Sequence, residues 1–328
     1  MIMRMLKAPT FWQQKYHPLA LLLWPLGWLY KIITAYRLHC RRTEKLSIPI
    51  ICVGNITVGG VGKTPIVQDF VSRLQAMGKK PHIILRGYGS ANHMNRQVDV
   101  AAHDVHDVGD EALLHAVIAP TWVGRNRMQS ARMAMAAGAD VIVMDDGLQN
   151  TTITPSYVLL VVDAARGLGN GYGLPAGPLR EDFVSAISRI DAIVMMGGGD
   201  AGLPPHNKTI LRASVETNGS ALRDLEGRPA FVFAGIGAPE RFRTSLQALG
   251  LDIVGMRSFA DHHLYQEKEI LALKKRAALL GAVLVTTQKD LVRIPDNLRS
   301  DIIAVDAHLQ WQDSAAVDFL LREAVGDA

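Results

Sequence analysis

Short apolar, β-branched runs recur along this chain and alternate with stretches of helical period. Ile48–Val53 reads as a buried strand feeding a Gly-rich turn, and Ile66–Met77 as the helix after it. Pro81–Leu85 is a strand ending at Arg86-Gly87-Tyr88-Gly89, and the polar, His-containing Ser90–Asp107 reads as loop. Asp110–Ala116 and Arg125–Ala137 read as helices around a strand at Thr121–Val123. Val141–Met144 runs into Asp145-Asp146-Gly147, Tyr157–Val162 ends at Asp163, and Ala192–Met195 is closed by Gly197-Gly198-Gly199. Strands alternating with helices in this way predict a parallel sheet covered on both faces, a three-layer α/β fold. Residues 200–228, rich in turn residues and charge, read as a linker despite a strand-like Thr209–Ala213. Alternation then resumes with strands Ala230–Phe233, Leu251–Met256, Val283–Thr286 and Ile302–Val305, and helices Pro239–Leu249, Gln266–Leu280 and Asp313–Val325. The expected organisation is an N-terminal segment 1–45, a larger lobe 46–200, a linker 201–228 and a smaller lobe 229–328, with a cleft between the lobes.

The N-terminal segment departs from this pattern. Pro18–Tyr30 is uncharged and apolar, and the segment also holds Trp12, Trp24, Trp28, Tyr16, Tyr30 and Tyr36. Lys31 interrupts the run, which is shorter than the ~20 residues a spanning helix needs. Residues 1–45 hold eight Lys and Arg against Glu44 alone, a balance of +7 in a chain whose total is +4, so the remainder is −3. Aromatics and cations around an apolar core suit a segment lying in, or dipping into, an anionic membrane face. The alternative is an ordinary buried helix. A nucleic-acid-binding body is not implied, because the basic character is confined to this segment. Cys40 and Cys52 are the only cysteines, which excludes a disulfide framework and a zinc cluster.

The chemistry centres on Thr57-Val58-Gly59-Gly60-Val61-Gly62-Lys63-Thr64, placed between a strand and a helix. Glycines there let successive backbone N–H groups curl inward around phosphate, the helix N-terminus adds its dipole, Lys63 reaches the β/γ-phosphates and the Thr64 hydroxyl suits Mg²⁺. Thr57 stands where the usual pattern opens with Gly. Asp145 and Asp146, at the carboxyl end of an apolar strand, suit Mg²⁺ beside such a loop. Asp110 and Glu111 at a helix start can simply cap it. His262, in Asp261-His262-His263, gains weight only if lobe closure brings it to Asp110, where the pair could deprotonate a hydroxyl. Leu174–Arg180 with Glu181 reads as a rigid loop whose Arg180 or Glu181 could contact nucleotide or substrate.

The stretches VGNITVGGVGKTP, RGYGS, VGDEALL, VGRNR, VMDDGLQ, GLGNGYGLPAGPLRE, FAGIGAPERF, FADHH and VTTQKDLVR, in this order from residue 53 to 293, resemble the tetraacyldisaccharide 4′-kinase family. That resemblance implies two P-loop-like, Rossmann-type lobes. It also implies an enzyme at the cytoplasmic face of the bacterial inner membrane. Its reaction would use ATP and Mg²⁺ to phosphorylate the 4′-hydroxyl of a membrane lipid, a tetraacylated glucosamine disaccharide 1-phosphate, giving lipid IVA in lipid A biosynthesis. It implies Asp110 as catalytic base assisted by His262, Lys63 and Thr64 as phosphate and Mg²⁺ ligands, and Asp145 and Asp146 as metal-site acids. Glu111 would support them, and Arg127 would touch phosphate or substrate. Asn150, Ser156, Ala112 and Gln288 depart from the family pattern. Two other readings of the same residues are a P-loop ATPase that moves a partner and a membrane adaptor with a degenerate nucleotide site.

Overall fold

The computed structural model describes residues 9–88, 94–218 and 227–327. Gly89 and Ser90 of the RGYGS stretch and residues 219–226 of the expected linker lie outside the described residues. The chain begins with a 3-10 turn, Thr10–Gln13, and helix α1 (Pro18–His39). α1 runs 22 residues, straight through Lys31, and is long and apolar enough to cross a membrane by length and composition. The sequence reading ended its apolar core at Tyr30. Lys31 does not end the helix because its ammonium bonds to Asp182 Oδ1 at 2.7 Å and Gly171 O at 3.1 Å. The buried positions of α1 are Ala20, Gly27 and Leu38. With Lys31 they form one stripe at helical spacing, while Leu22, Trp24, Trp28, Ile33 and Tyr36 are exposed. Gly27 lies so close to the loop that holds Gly173 that a Cβ there would meet Gly173 O at 2.5 Å.

The strands that follow are β1 (Ile50–Gly54), β2 (Pro81–Leu85), β3 (Arg96–Gln97), β4 (Thr121–Val123), β5 (Val141–Asp145), β6 (Tyr157–Asp163), β7 (Ala192–Met196) and β8 (Thr209–Thr217). With β13 (Ala307–Trp311) they form, among the described residues, a nine-stranded sheet ordered β13-β8-β7-β6-β1-β5-β2-β4-β3. β4, β2, β5, β1, β6, β7 and β8 pair in parallel, and β3 is antiparallel to β4. The intervening helices are α2 (Lys63–Ala76), α3 (Val105–Val108), α4 (Asp110–Ala116), α5 (Arg127–Ala136) and α6 (Phe183–Ile187). β1 is apolar throughout because both of its faces are covered. Ile51 and Val53 pack in one cluster with Phe70 and Val71 of α2, whereas Ile50 and Cys52 pack with Ala131 and Ala134 of α5.

A second, all-parallel sheet is ordered β10-β9-β11-β12, from β9 (Ala230–Ala234), β10 (Ile253–Ser258), β11 (Val283–Thr287) and β12 (Ile302–Val305). Its helices are α7 (Pro239–Ala248), α8 (Glu267–Leu279) and α9 (Gln288–Leu291). Ala230, Val232 and Ala234 pack on Phe242 and Leu246 of α7, and Phe231 and Phe233 on Ile270 and Leu273 of α8. Val215–His308 forms one compact unit, and the described residues 9–214 and 309–327 form the other. The last helix, α10 (Ser314–Val325), belongs to the larger unit, although the sequence grouped it with the smaller lobe. Its Asp318 bonds to Arg73 at 2.6 Å, and Trp311 stacks on Phe70 and donates to Asp69 at 2.8 Å. Residues 209–217, read as linker, are instead strand β8, because β7 offers their backbone a parallel partner on one side and β13 flanks them on the other.

Candidate phosphate-binding and catalytic site

β1 lies between β5 and β6, so the loop at its carboxyl end faces the ends of two further parallel strands. That is where ligands gather in open α/β sheets. Asn55 is fully buried and shapes the loop: its Nδ2 donates to Thr57 O at 2.6 Å and its Oδ1 accepts from Lys63 Nζ at 3.1 Å. Val58 N donates to Pro178 O at 2.8 Å and Arg180 N to Ile56 O at 2.7 Å. Thr57 therefore sits in an antiparallel bridge with Leu179, an extended conformation open to any residue, so the missing opening Gly costs nothing here. Gly62 does need its glycine: it caps α2 at φ +89°, in the left-handed region, and aims Lys63 from the first position of the helix. Thr64 follows in the same first turn.

Lys63 Nζ lies 3.5 Å from Asp146 Oδ1, and Arg180 donates to both oxygens of Asp146 at 2.8 and 3.1 Å. The buried Arg127 donates to the Asp146 carbonyl at 3.2 and 3.3 Å. Burial alone would raise the Asp146 carboxyl, but Lys63, Arg180 and Arg127 together hold it down at about 2. Asp146 is thus a fixed anion among three cations, and its backbone adopts φ +51°. Burial lowers the Arg127 guanidinium, opposed first by Asp146, and pushes the neighbouring Cys52 thiol up to about 12, leaving it inert. Glu181 is buried behind Arg180, held by Gln149 at 2.9 Å and Arg189 at 2.5 Å. Gln149 also donates to Asn55 O at 3.0 Å, so Glu181 braces the loop from beneath.

Asp145 turns away from this cluster. Its Oδ2 meets His115 Nε2 at 3.0 Å, with both side chains buried. Its Oδ1 is buried with no hydrogen-bond partner. His115 closes α4, whose first residue is the buried Asp110. The pair therefore ties the helix of Asp110 to the end of β5. Gly109, at φ +88°, lets the start of that helix lie against Tyr88, where a Cβ would meet Tyr88 O at 2.7 Å. Asp110 Oδ1 accepts from Glu111 N at 3.0 Å. His115 carries no motif that marks it in the sequence, and a fully buried histidine on an apolar helix face looks like core. The hard oxygen donors Asp145 Oδ1 and the Thr64 hydroxyl suit a divalent cation, and the orphaned buried carboxylate oxygen is the feature that fits one. Residues Thr57, Val58, Gly59, Gly60 and Val61 line a cavity of about 190 Å³ with Trp12, Asp163, Arg166 and Pro178.

His262 belongs to the smaller unit, in the turn after β10, at φ +58°. Its N–H donates to Gly235 O at 3.1 Å, and its Nδ1 lies 3.2 Å from Arg293 NH2.

Comparison with known proteins agrees with this architecture. The chain is 43% identical over 326 residues to the tetraacyldisaccharide 4′-kinase of Rhodospirillum centenum, covering 96% of each. It is 41% identical to the protein of the same name from a Bradyrhizobium species, covering 98% of this chain and 96% of that one. The crystal structure of LpxK from Aquifex aeolicus in complex with ATP shares the fold at a TM-score of 0.77 and 24% identity, covering 94% of this chain and 99% of that one. The family model for tetraacyldisaccharide-1-P 4′-kinase matches residues 19–325. With curated relatives above 40% identity over nearly their whole length, this chain belongs to the tetraacyldisaccharide-1-P 4′-kinase family.

Proposed function

We propose that this protein is an ATP-dependent kinase that phosphorylates the 4′-hydroxyl of a tetraacylated glucosamine disaccharide 1-phosphate, giving lipid IVA in lipid A biosynthesis. Family membership supports the acceptor. The observation that carries phosphoryl transfer is Lys63, at the first position of α2 and poised between Asn55 and Asp146. A triphosphate entering the loop would take Lys63 from Asp146, leaving Arg180 to compensate that carboxylate. Residues 57–64 bind the phosphates through backbone N–H groups, and Lys63 stabilises charge on the transferring group. Asp145 and Thr64, with Asp146, would hold Mg²⁺, which when bound neutralises charge on the phosphate oxygens. Asp110 is the base toward the acceptor hydroxyl, with His262 assisting it, and Glu111 and Arg127 support that end of the site. The two units are proposed as two P-loop-like lobes of one enzyme.

The enzyme is proposed to work at the cytoplasmic face of the inner membrane. Support comes from α1, whose exposed face carries Leu22, Trp24, Trp28 and Ile33. The opposite stripe of α1 is fastened to the larger unit from Ala20 to Leu38. A helix held along that length favours lying in the interface over crossing the bilayer alone. Extracting the acceptor into water would cost about 0.8 kcal/mol per exposed CH₂, which an interfacial enzyme avoids.

A transfer assay with γ-labelled ATP and the disaccharide lipid tests the reading. Label appearing in lipid supports it. ATP hydrolysis with no labelled lipid would favour a partner-moving ATPase, and absence of nucleotide-dependent stabilisation would favour an adaptor.

A further inference from the structure

His115 is a buried imidazole of the larger unit to which neither phosphate binding nor the acceptor end of the site gives a part. It lies in the last turn of α4, with its side chain fully buried, and its Nε2 meets Asp145 Oδ2 at 3.0 Å. The far atoms of this pair, His115 Nδ1 and Asp145 Oδ1, are buried without a hydrogen-bond partner. Among the described residues, Asp145 Oδ1 is the one fully buried side-chain oxygen in that state. The register of β5 on β1 sets Asp145 beside Val53, just before β1 ends at Gly54 and the chain turns into the phosphate loop. Asp146 is engaged differently, since Arg180 donates to both of its oxygens at 2.8 and 3.1 Å. Of the four carboxylate oxygens of Asp145 and Asp146, three thus meet a protein nitrogen, and Asp145 Oδ1 meets none.

An ionised carboxylate only accepts hydrogen bonds. Beside an ionised Asp145, the hydrogen between the two side chains therefore sits on His115 Nε2. That bond fixes the carboxylate from its Oδ2 side. It also occupies the second oxygen that a two-oxygen grip on a cation would need. Divalent cations differ in what they ask of a carboxylate. Ca²⁺ accepts one or both oxygens in a flexible, crowded shell, whereas Mg²⁺ requires a near-octahedral shell built from one or two carboxylates, water and substrate phosphates. A single carboxylate oxygen at the base of a phosphate loop matches the needs of Mg²⁺.

We infer that His115 is a positioning residue for the divalent cation: it holds Asp145 by Oδ2 and leaves Oδ1 as the one oxygen Asp145 offers, so that the site favours Mg²⁺ over the larger Ca²⁺. His115 acts through Asp145 alone. This role rests on the nucleotide and cation site proposed above and adds to it the residue that sets how Asp145 presents itself. Partners that orient a ligating group in this way are worth on the order of ten- to a hundredfold in metal affinity.

The test is calorimetric titration of the full-length protein with a non-hydrolysable ATP analogue in EDTA, in Mg²⁺ and in Ca²⁺. The affinity with each ion, divided by that in EDTA, gives the effect of the ion. Wild type should show a larger effect for Mg²⁺ than for Ca²⁺. In His115→Leu, which fills the place of the ring but donates nothing, the Mg²⁺ effect should fall on the order of ten- to a hundredfold. The ratio of the Mg²⁺ to the Ca²⁺ effect should fall with it, and the affinity in EDTA should not change. His115→Gln keeps an N–H donor for Oδ2 and should restore most of the effect and of the ratio. An unchanged Mg²⁺ effect in His115→Leu overturns the inference. A loss shared equally by the two ions, or the same loss in His115→Gln, overturns it too, because either is the mark of a merely structural histidine. Wild type with no Mg²⁺ effect at all overturns the cation site together with the inference, while labelled lipid in the transfer assay would leave the kinase reading standing. If His115→Leu does not fold, a ¹H–¹⁵N spectrum of the ¹⁵N-histidine-labelled wild type decides. The His115 Nε2–H signal, assigned by its loss in His115→Gln, should move when Mg²⁺ is added to the protein with bound analogue. A signal that stays in place, or an Nε2 without hydrogen, overturns the inference.

Discussion

Replacing His115 by Ala tests the buried pair at the heart of the larger unit. The imidazole is fully buried, and its Nε2 lies 3.0 Å from Asp145 Oδ2. Asp145 Oδ1 already lacks a partner, so the variant leaves a buried carboxylate with no protein hydrogen bond on either oxygen. Losing a hydrogen bond to a charged group costs about 1.5–3 kcal/mol. The void left by the ring adds about 1–2 kcal/mol if the site does not collapse. The larger unit should therefore lose about 2.5–5 kcal/mol, read as a fall in urea midpoint at unchanged slope. Asp145→Asn should cost far less, because a neutral amide can pair with either His115 tautomer. The double variant His115→Ala/Asp145→Asn should recover at least about 1 kcal/mol relative to additivity, since the uncompensated charge is gone. A loss below about 1 kcal/mol for His115→Ala, or strict additivity, would mean that the two side chains do not depend on each other. Activity supplies a second reading: because α4 carries Asp110 at its other end, His115→Ala should lower turnover even where the protein remains folded.

Three further outcomes are expected. Lys63→Ala should lower turnover on the order of a hundredfold or more, and a folded variant with near wild-type rate in the transfer assay would remove the phosphate-loop assignment. The Asp146 carboxyl is held at about 2, below its ordinary 3.8, so its stabilising contribution is complete above pH 4 and is lost as pH falls through 2. After screening at a partly exposed site, that contribution is about 1 kcal/mol. Acid titration of the wild type against Asp146→Asn should show it, and parallel curves from pH 4 to 2 would refute it. Gly27→Leu should prise α1 from Gly173 and reduce transfer to lipid in anionic vesicles without changing nucleotide affinity; unaltered lipid turnover would separate the α1 contact from acceptor delivery.

Local features of this protein were legible from sequence. The run Ile50–Gly54, the glycine turn and Lys63-Thr64 make a strand, a loop and a helix start by rules that act within a few residues. Asp145 and Asp146 follow a buried strand and are found at its carboxyl end. The apolar character of Pro18–Tyr30 was also plain, as were most strands of both sheets. Interactions between distant segments were not legible. Lys31 reads as an interruption until Asp182, 151 residues later, receives its charge and lets the helix continue. His115 reads as core until Asp145 is placed against it by the pairing of β5 with β1 and β2. The helix Ser314–Val325 reads as the end of the smaller lobe, yet Arg73 and Phe70 draw it and Trp311 into the larger unit. Arg293 looks like a surface cation until the fold buries it and pairs it with Asp290. The physical reason is the same in each case. Backbone propensity and hydrophobic period act over one turn or one strand, whereas charge compensation in a low-dielectric interior is decided by which segments the sheet order brings together.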